Sequence, residues 1–289
     1  MKLVTQTDNL NKRYGDEKAV RMLCESGFDA IDYSMFCMDN DDDILNTPQY
    51  AAHAEKLRKI AEEYGVKFEQ SHAPFPPFKV GDDAYSKKTM PRVERAIEIS
   101  GILGVKACVV HPVAAGKDQY DINMRYFETL LPLAQKYGVK VALENMWGRD
   151  RETNKIIPNV CSLANDFNRY VDSLDPKYFT ACLDIGHCGL VGSDAATMIR
   201  EMGANRITCL HIHDNNGIDD NHTLPYTRNI KWDEVLKALG EIGYKGNFTY
   251  EADNFLKKFP DPLIETCLKF MVEVGRYMIS EVQRYGAKK

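Results

Sequence analysis

The sequence predicts a closed barrel of eight parallel strands wrapped by helices, a (β/α)8 or TIM barrel, and three observations predict it. Short apolar runs alternate with amphipathic stretches along the whole chain. Eight such strand–helix units follow one another with short links. The apolar runs are nearly continuous, as in parallel strands covered by helices. Barrels of this kind routinely reach 289 residues as one domain, so a single domain over 1–289 is expected. The competing arrangement, an open doubly wound sheet, usually carries a glycine-rich phosphate loop after its first strand. Here Thr7-Asp8-Asn9-Leu10 stands at that point.

Lys2–Gln6 reads as the first strand, and Lys18–Ser26 as an amphipathic helix that Gly27 closes. Phe28–Ser34 is the second strand. A longer helix over Thr47–Tyr64 has Pro48 in its first turn and Gly65 at its end. Val66–Ser71 is the third strand and leads into His72-Ala73-Pro74. Phe75 to Asp83 is a loop rich in proline and glycine, and Lys87–Leu103 is helix, ended by Gly104. Lys106–Val110 is the fourth strand, tipped by His111-Pro112, and Asp121–Tyr137 is helix. Val139–Leu143 is the fifth strand, tipped by Glu144-Asn145. Gly148–Asn159 is an irregular charged loop and Ser162–Ser173 is helix. Phe179–Leu183 is the sixth strand, tipped by Asp184-Ile185-Gly186-His187, and Asp194–Met202 is a short helix. Ile207–Leu210 is the seventh strand and Lys231–Ile242 is helix. Gly246–Tyr250 is the eighth strand, tipped by Glu251. Pro262–Tyr285 is the last helix, and Gly286–Lys289 a polar tail.

Composition sets outer bounds. Hydrophobic residues make up 44% and charged residues 27%, ordinary for a globular protein. A net charge of −5 disfavours a dedicated nucleic-acid binder, because phosphate binding usually needs a basic face. No apolar run approaches the roughly 18 residues of a membrane span. The opening residues, MKLVTQTDNLNKRYG, lack the apolar core of a signal peptide. The eight cysteines are scattered without C-x-x-C, and Cys108, Cys182 and Cys209 lie in apolar runs. Buried reduced thiols in a cytoplasmic protein are expected.

Polar residues fall in a pattern. Of seven histidines, His53 sits in a helix and is expected at the surface. His72, His111, His187, His211, His213 and His222 each sit at or just past the C-terminal end of a strand, and Glu144, Asp184 and Glu251 do so on three strands. In a barrel those ends share one face, which carries the active site. A carboxylate ending an apolar strand is costly to desolvate unless paired or metal-bound. Glu144, Asp184 and Glu251 with His211 form a hard, oxygen-rich set that suits Mn²⁺, Mg²⁺ or Co²⁺, with Zn²⁺ also possible. Phe75–Phe78 and Trp147 lie just beyond these strand tips and are expected to wall a pocket.

VALEN (Val141–Asn145), LDIGH (Leu183–His187), HIHDNNG (His211–Gly217) and YEA (Tyr250–Ala252) resemble the xylose isomerase-like barrel superfamily, and SHAP (Ser71–Pro74) and VVHP (Val109–Pro112) fit it. That superfamily holds sugar and sugar-phosphate isomerases and epimerases, inosose dehydratases and type IV AP endonucleases. The resemblance implies one divalent ion on Glu144, Asp184, His211 and Glu251, with Glu144 and Glu251 as the catalytic pair on a small carbohydrate. It also implies His187 at a substrate oxygen. The endonucleases hold three zinc ions, and the matching extra positions are filled here by His72, His111, His187, Asp220 and His222. Substrate binding and further metal sites therefore both remain open for those five residues. Asp214-Asn215-Asn216-Gly217 departs from the arginine-bearing pattern of ketohexose 3-epimerases, so no particular sugar is implied. A lyase or dehydratase is the close alternative, and a homo-oligomer is compatible with the sequence.

Overall fold

A computed structural model describes residues 1–287. Its main sheet is built from β1 (Leu3–Gln6), β2 (Ala30–Ser34), β3 (Lys67–His72), β4 (Ala107–Val110) and β5 (Lys140–Glu144). A separate hairpin, β6 (Trp147–Arg149) and β7 (Ile156–Pro158), precedes β8 (Phe179–Asp184), β9 (Ile207–His211) and β10 (Phe248–Tyr250). The eight main strands run in the order β10-β1-β2-β3-β4-β5-β8-β9, all neighbours parallel. Ile212 closes the ring just beyond β9. Its N–H donates to Thr249 O at 2.9 Å, and its carbonyl accepts from Glu251 N at 3.2 Å. The fold is the expected (β/α)8 barrel.

Helices α1 (Asp8–Tyr14), α2 (Asp16–Ser26), α3 (Tyr50–Glu63), α4 (Asp83–Leu103) and α5 (Gln119–Tyr137) pack outside the sheet, followed by α6 (Ala164–Ser173), α7 (Ile185–Leu190), α8 (Ala195–Met202), α9 (Trp232–Glu241) and α10 (Asp261–Gly286). The main core lies between this helical layer and the sheet. Inside the barrel a second, small cluster holds Ala107, Val109, Ala142, Cys182 and Cys209. Strand side chains alternate between faces. The residues two places on from Val109, Ala142, Cys182 and Cys209 are therefore His111, Glu144, Asp184 and His211, and they share the interior face. The strand period alone delivers these groups to one mouth of the barrel.

Several details differ from the sequence reading. Helix α3 starts at Tyr50, so Pro48 sits in the turn before it; Thr47, held extended ahead of the proline, blocks an earlier start. Helix α4 starts at Asp83 because the Asp82 carboxylate accepts from Tyr85 N at 2.9 Å. The charged segment Gly148–Asn159 is not irregular: it forms the β6–β7 hairpin, whose turn Asp150 closes by accepting from Thr153 N at 2.7 Å. Helices α1 and α7 were not expected; both are short, and their tertiary neighbours rather than a long periodic pattern support them. The His53 side chain is only 12% exposed, and its Nε2 lies 2.7 Å from Asp16 Oδ2, so it is not a free surface residue. The eight cysteines are free thiols, and Cys108, Cys182 and Cys209 are buried. Of the expected tail Gly286–Lys289, residues 288 and 289 lie outside the described residues. No helix among the described residues is long and apolar enough to cross a membrane.

Candidate metal centre

The C-terminal mouth of the barrel gathers every site residue named from the sequence. Glu144, Asp184, His211 and Glu251 bring ligand-type atoms within 4.8 Å of one another, all buried. His211 Nδ1 is the hub, 3.1 Å from Glu144 Oε1 and 3.1 Å from Glu251 Oε2. Asp184 sits at the N-terminus of α7, where its Oδ1 accepts from His187 N at 2.6 Å. That cap also explains why a short helix starts there. Asn145, next to Glu144, ties the two strand tips together: its amide donates to Asp184 O at 2.9 Å and accepts from Asp184 N at 2.7 Å.

Three further groups adjoin this one, among them His72 with His211 and Glu251. His72 and His111 lie 3.4 Å and 2.9 Å from Glu144 Oε2. On the other side His187, His213, Asp220 and His222 form a set of ligand-type atoms within 4.8 Å of one another. His213 Nε2 lies 3.1 Å from Asp184 Oδ1, and its ring stacks on His222 with centroids 4.1 Å apart. Sequence reasoning named His213 without giving it a place; its position two residues beyond His211 puts it on the same face. Gly186 makes room for it, because a Cβ there would collide with the His213 ring. Asp214 stands apart from the site. Its carboxylate accepts from Trp232 Nε1, Arg228 N and Ile230 N at 3.0–3.1 Å and so organises the loop behind it.

Below the mouth a second polar layer was missed from the sequence. Gln6 donates to Glu251 Oε1 at 2.9 Å, and Gln70 donates to Asp32 Oδ2 at 3.0 Å. For Gln70 the signal was present as phase, two residues before His72; Asp32, inside β2, carried no such signal. At the rim, Phe75 packs against His111 with centroids 4.5 Å apart, and Phe36, also unexpected, packs against His72 at 4.7 Å. Trp147, on the hairpin, donates to Asp220 Oδ2 at 3.1 Å. Phe78 turns away and packs on Tyr126, so of the residues expected to form a wall Phe75 and Trp147 lie at the rim, joined there by Phe36.

Electrostatics follow from this crowding. Burial alone would push Glu144 up, but His211 and His111 outweigh it and hold the carboxyl well below the usual range. Burial likewise raises Glu251, while His211 and His222 more than reverse that. Burial pulls His211 down, yet Cys182, Glu251 and Glu144 carry it well above an ordinary imidazole. His187 is raised against its burial by Asp184 and Asp220, and His222 reaches about 10 through Glu251 and Asp220. His111 is the exception, since burial lowers it by more than Glu144 restores. The raised imidazoles of His187, His211 and His222 thus offset only part of the buried carboxylate charge. Glu144 Oε2, Glu251 Oε2, Asp220 Oδ1, His211 Nε2 and His213 Nδ1 remain buried without a hydrogen-bond partner. Orphaned carboxylate oxygens beside imidazole nitrogens are a donor set that fits a divalent cation.

A sequence profile of the family described as xylose isomerase-like TIM barrel matches residues 20–273. The chain belongs to that family. An uncharacterised protein of Methanocaldococcus jannaschii, MJ1311, is 30% identical over 209 residues, covering 68% of each chain. Among solved structures, a D-tagatose 3-epimerase-like protein superposes with a TM-score of 0.74 at 24% identity, over 97% of this chain and 99% of that one. A D-psicose 3-epimerase determined in the presence of D-fructose gives 0.75 at 14% identity, over 96% and 99%. The IOLI protein with a bound zinc atom gives 0.73 at 19% identity, over 99% of both. At these identities the superpositions speak for the family's fold.

Proposed function

We propose that the protein is a divalent-cation-dependent isomerase or epimerase of a small sugar, sugar phosphate or polyol-derived carbonyl compound. The observation that carries this reading is the pair Glu144 and Glu251, two buried carboxylates that meet at one imidazole, each 3.1 Å from His211 Nδ1. Glu144, Asp184, His211 and Glu251 would hold the ion. When bound, a divalent ion there would polarise the substrate carbonyl and acidify the neighbouring C–H. One of the two glutamates takes the proton beside the carbonyl, and the other returns a proton to the enediolate so formed. General acid–base groups of this kind contribute a factor of roughly 10² to 10⁴. His187, oriented by Asn145 O at 2.7 Å from its Nδ1, is positioned to hold a substrate oxygen. Phe36, Phe75 and Trp147 shield the mouth from water. The epimerases and the zinc-holding protein among the structural relatives support the substrate class and the cation. The oxygen-rich donor set favours Mn²⁺, with Mg²⁺, Co²⁺ or Zn²⁺ as alternatives. A lyase or dehydratase would share the first proton abstraction.

One observation favours a second reading. The His72–His111–Glu144 group and the His187–His213–Asp220–His222 group supply donors for further ions, as a trinuclear phosphodiesterase of the AP endonuclease kind would need. Elemental analysis of the purified protein and its His211→Ala variant, with a panel of ketopentoses and ketohexoses, separates the two. The proposal expects about one ion per chain, lost in the variant, and sugar interconversion abolished by EDTA. Three ions per chain with cleavage of abasic-site DNA and no sugar turnover would overturn it.

A further inference from the structure

Asp32 is the least explained charge in the molecule. It lies in β2, fully buried, and faces the barrel interior one layer below the mouth. No lysine or arginine is paired with it among the described residues. Its Oδ2 accepts from Gln70 Nε2 at 3.0 Å, and its Oδ1 has no hydrogen-bond partner. A carboxylate taken out of water with one neutral donor is costly unless a positive charge is nearby. The nearest group able to supply it is His211, whose Nε2 lies 3.7 Å from Asp32 Oδ2. That is about half an ångström outside hydrogen-bonding range. Nε2 is itself buried without a hydrogen-bond partner, while Nδ1 of the same ring faces Glu144 and Glu251.

The surroundings fix the direction of this contact. Thr249 Oγ1 donates to Gln70 Oε1 at 3.2 Å, which leaves the Gln70 amide N–H groups turned toward Asp32. The layer therefore reads Thr249, Gln70, Asp32, His211, from one side of the barrel to the ligand cluster. A neutral imidazole that offers the lone pair of one nitrogen to a cation must carry its proton on the other. A carboxylate at that second nitrogen selects the tautomer and raises the basicity of the first.

We infer that Asp32 is the positioning residue for His211. Its carboxylate faces Nε2 and favours the tautomer that keeps the proton there, so that Nδ1 presents its lone pair to the space shared by Glu144, Asp184 and Glu251. Gln70 and Thr249 hold Asp32 in that orientation. The inference rests on the cation-binding reading above and extends it to a residue behind the site.

The test is titration of metal-stripped protein with Mn²⁺ and Co²⁺, for wild type, Asp32→Asn and Thr249→Val. Asp32→Asn keeps the shape and removes the charge; it should weaken binding by roughly 10- to 100-fold and change the visible spectrum of the Co²⁺ form. Thr249→Val acts at the far end of the chain of contacts and should shift affinity in the same direction by less. Independently of any variant, long-range ¹⁵N–¹H correlation on the Zn²⁺-loaded wild type should find the His211 proton on Nε2. A wild-type protein that takes up neither ion would overturn the cation reading and this assignment with it. Wild-type uptake with unchanged affinity and spectrum in Asp32→Asn, or a His211 proton on Nδ1, would overturn the assignment alone.

Discussion

His211 shows how much a single residue can be asked to do. One nitrogen meets two carboxylates and the other faces a third, all out of contact with water. In the metal-free protein such an imidazole keeps its proton, and His222, at about 10, keeps one too. The sign of the resulting pH dependence is fixed. A group raised above its unfolded value stabilises the fold fully below that value, near 6.5 for histidine, and loses the effect as pH climbs through the folded value. Melting temperature in EDTA should therefore decline from about pH 7 toward pH 9. Cation binding requires the His211 ligand nitrogen to give up its proton, so the gain in melting temperature on adding Mg²⁺ or Mn²⁺ should grow over the same range. Differential scanning fluorimetry with and without the ion checks both slopes. A gain independent of pH would contradict the assignment of imidazole ligands. At this scale the sequence was readable where a polar residue ended an apolar strand, as Glu144, Asp184 and Glu251 do. It was unreadable for Asp32, because an aspartate inside a strand has no local feature that tells which face it occupies until the register of the neighbouring strands is known.

Among elements, the strand tips and the short helix α7 work as a unit. Asp184 caps α7, and α7 carries Gly186 beneath the His213 ring and His187 beside Asn145. Gly186→Ala should force the His213 ring away from Asp184. Overpacking of this kind costs about 1–3 kcal/mol, so the melting temperature should fall by several degrees and His213 should no longer stack on His222. Calorimetry and the histidine NMR resonances would read this; an unchanged melting temperature with unchanged His213 and His222 resonances would contradict the contact. Element boundaries show where sequence legibility ended. The strands were found within one or two residues, because continuous apolar runs are strong signals. The β6–β7 hairpin was read as a loop, because its strands have three residues each and its turn is charged. Helix α7 was hidden by glycines and a histidine that a propensity reading places outside helices.

Across the whole molecule, the barrel turns a period-2 strand pattern into a convergent site. Each inward residue at the C-terminal end of a strand arrives at the same mouth, so ten ligand-type residues named from the sequence, scattered over 180 residues of chain, meet there. That convergence was legible once eight strand–helix units had been counted. The division of the mouth into four overlapping groups was not, since it depends on side-chain directions and on how far the Asp220–His222 loop folds back. The account turns on proton transfer to and from the substrate carbon by Glu144 and Glu251, and solvent exchange measures it most directly. The Mn²⁺-loaded protein is incubated in D₂O with each ketose that it turns over, and the product is read by NMR. Glu144→Gln and Glu251→Gln are run alongside. The account predicts deuterium at the carbon beside the carbonyl, with turnover falling by roughly 10²-fold or more in each variant. Product formed without deuterium at that carbon, or full turnover in either variant, would contradict it.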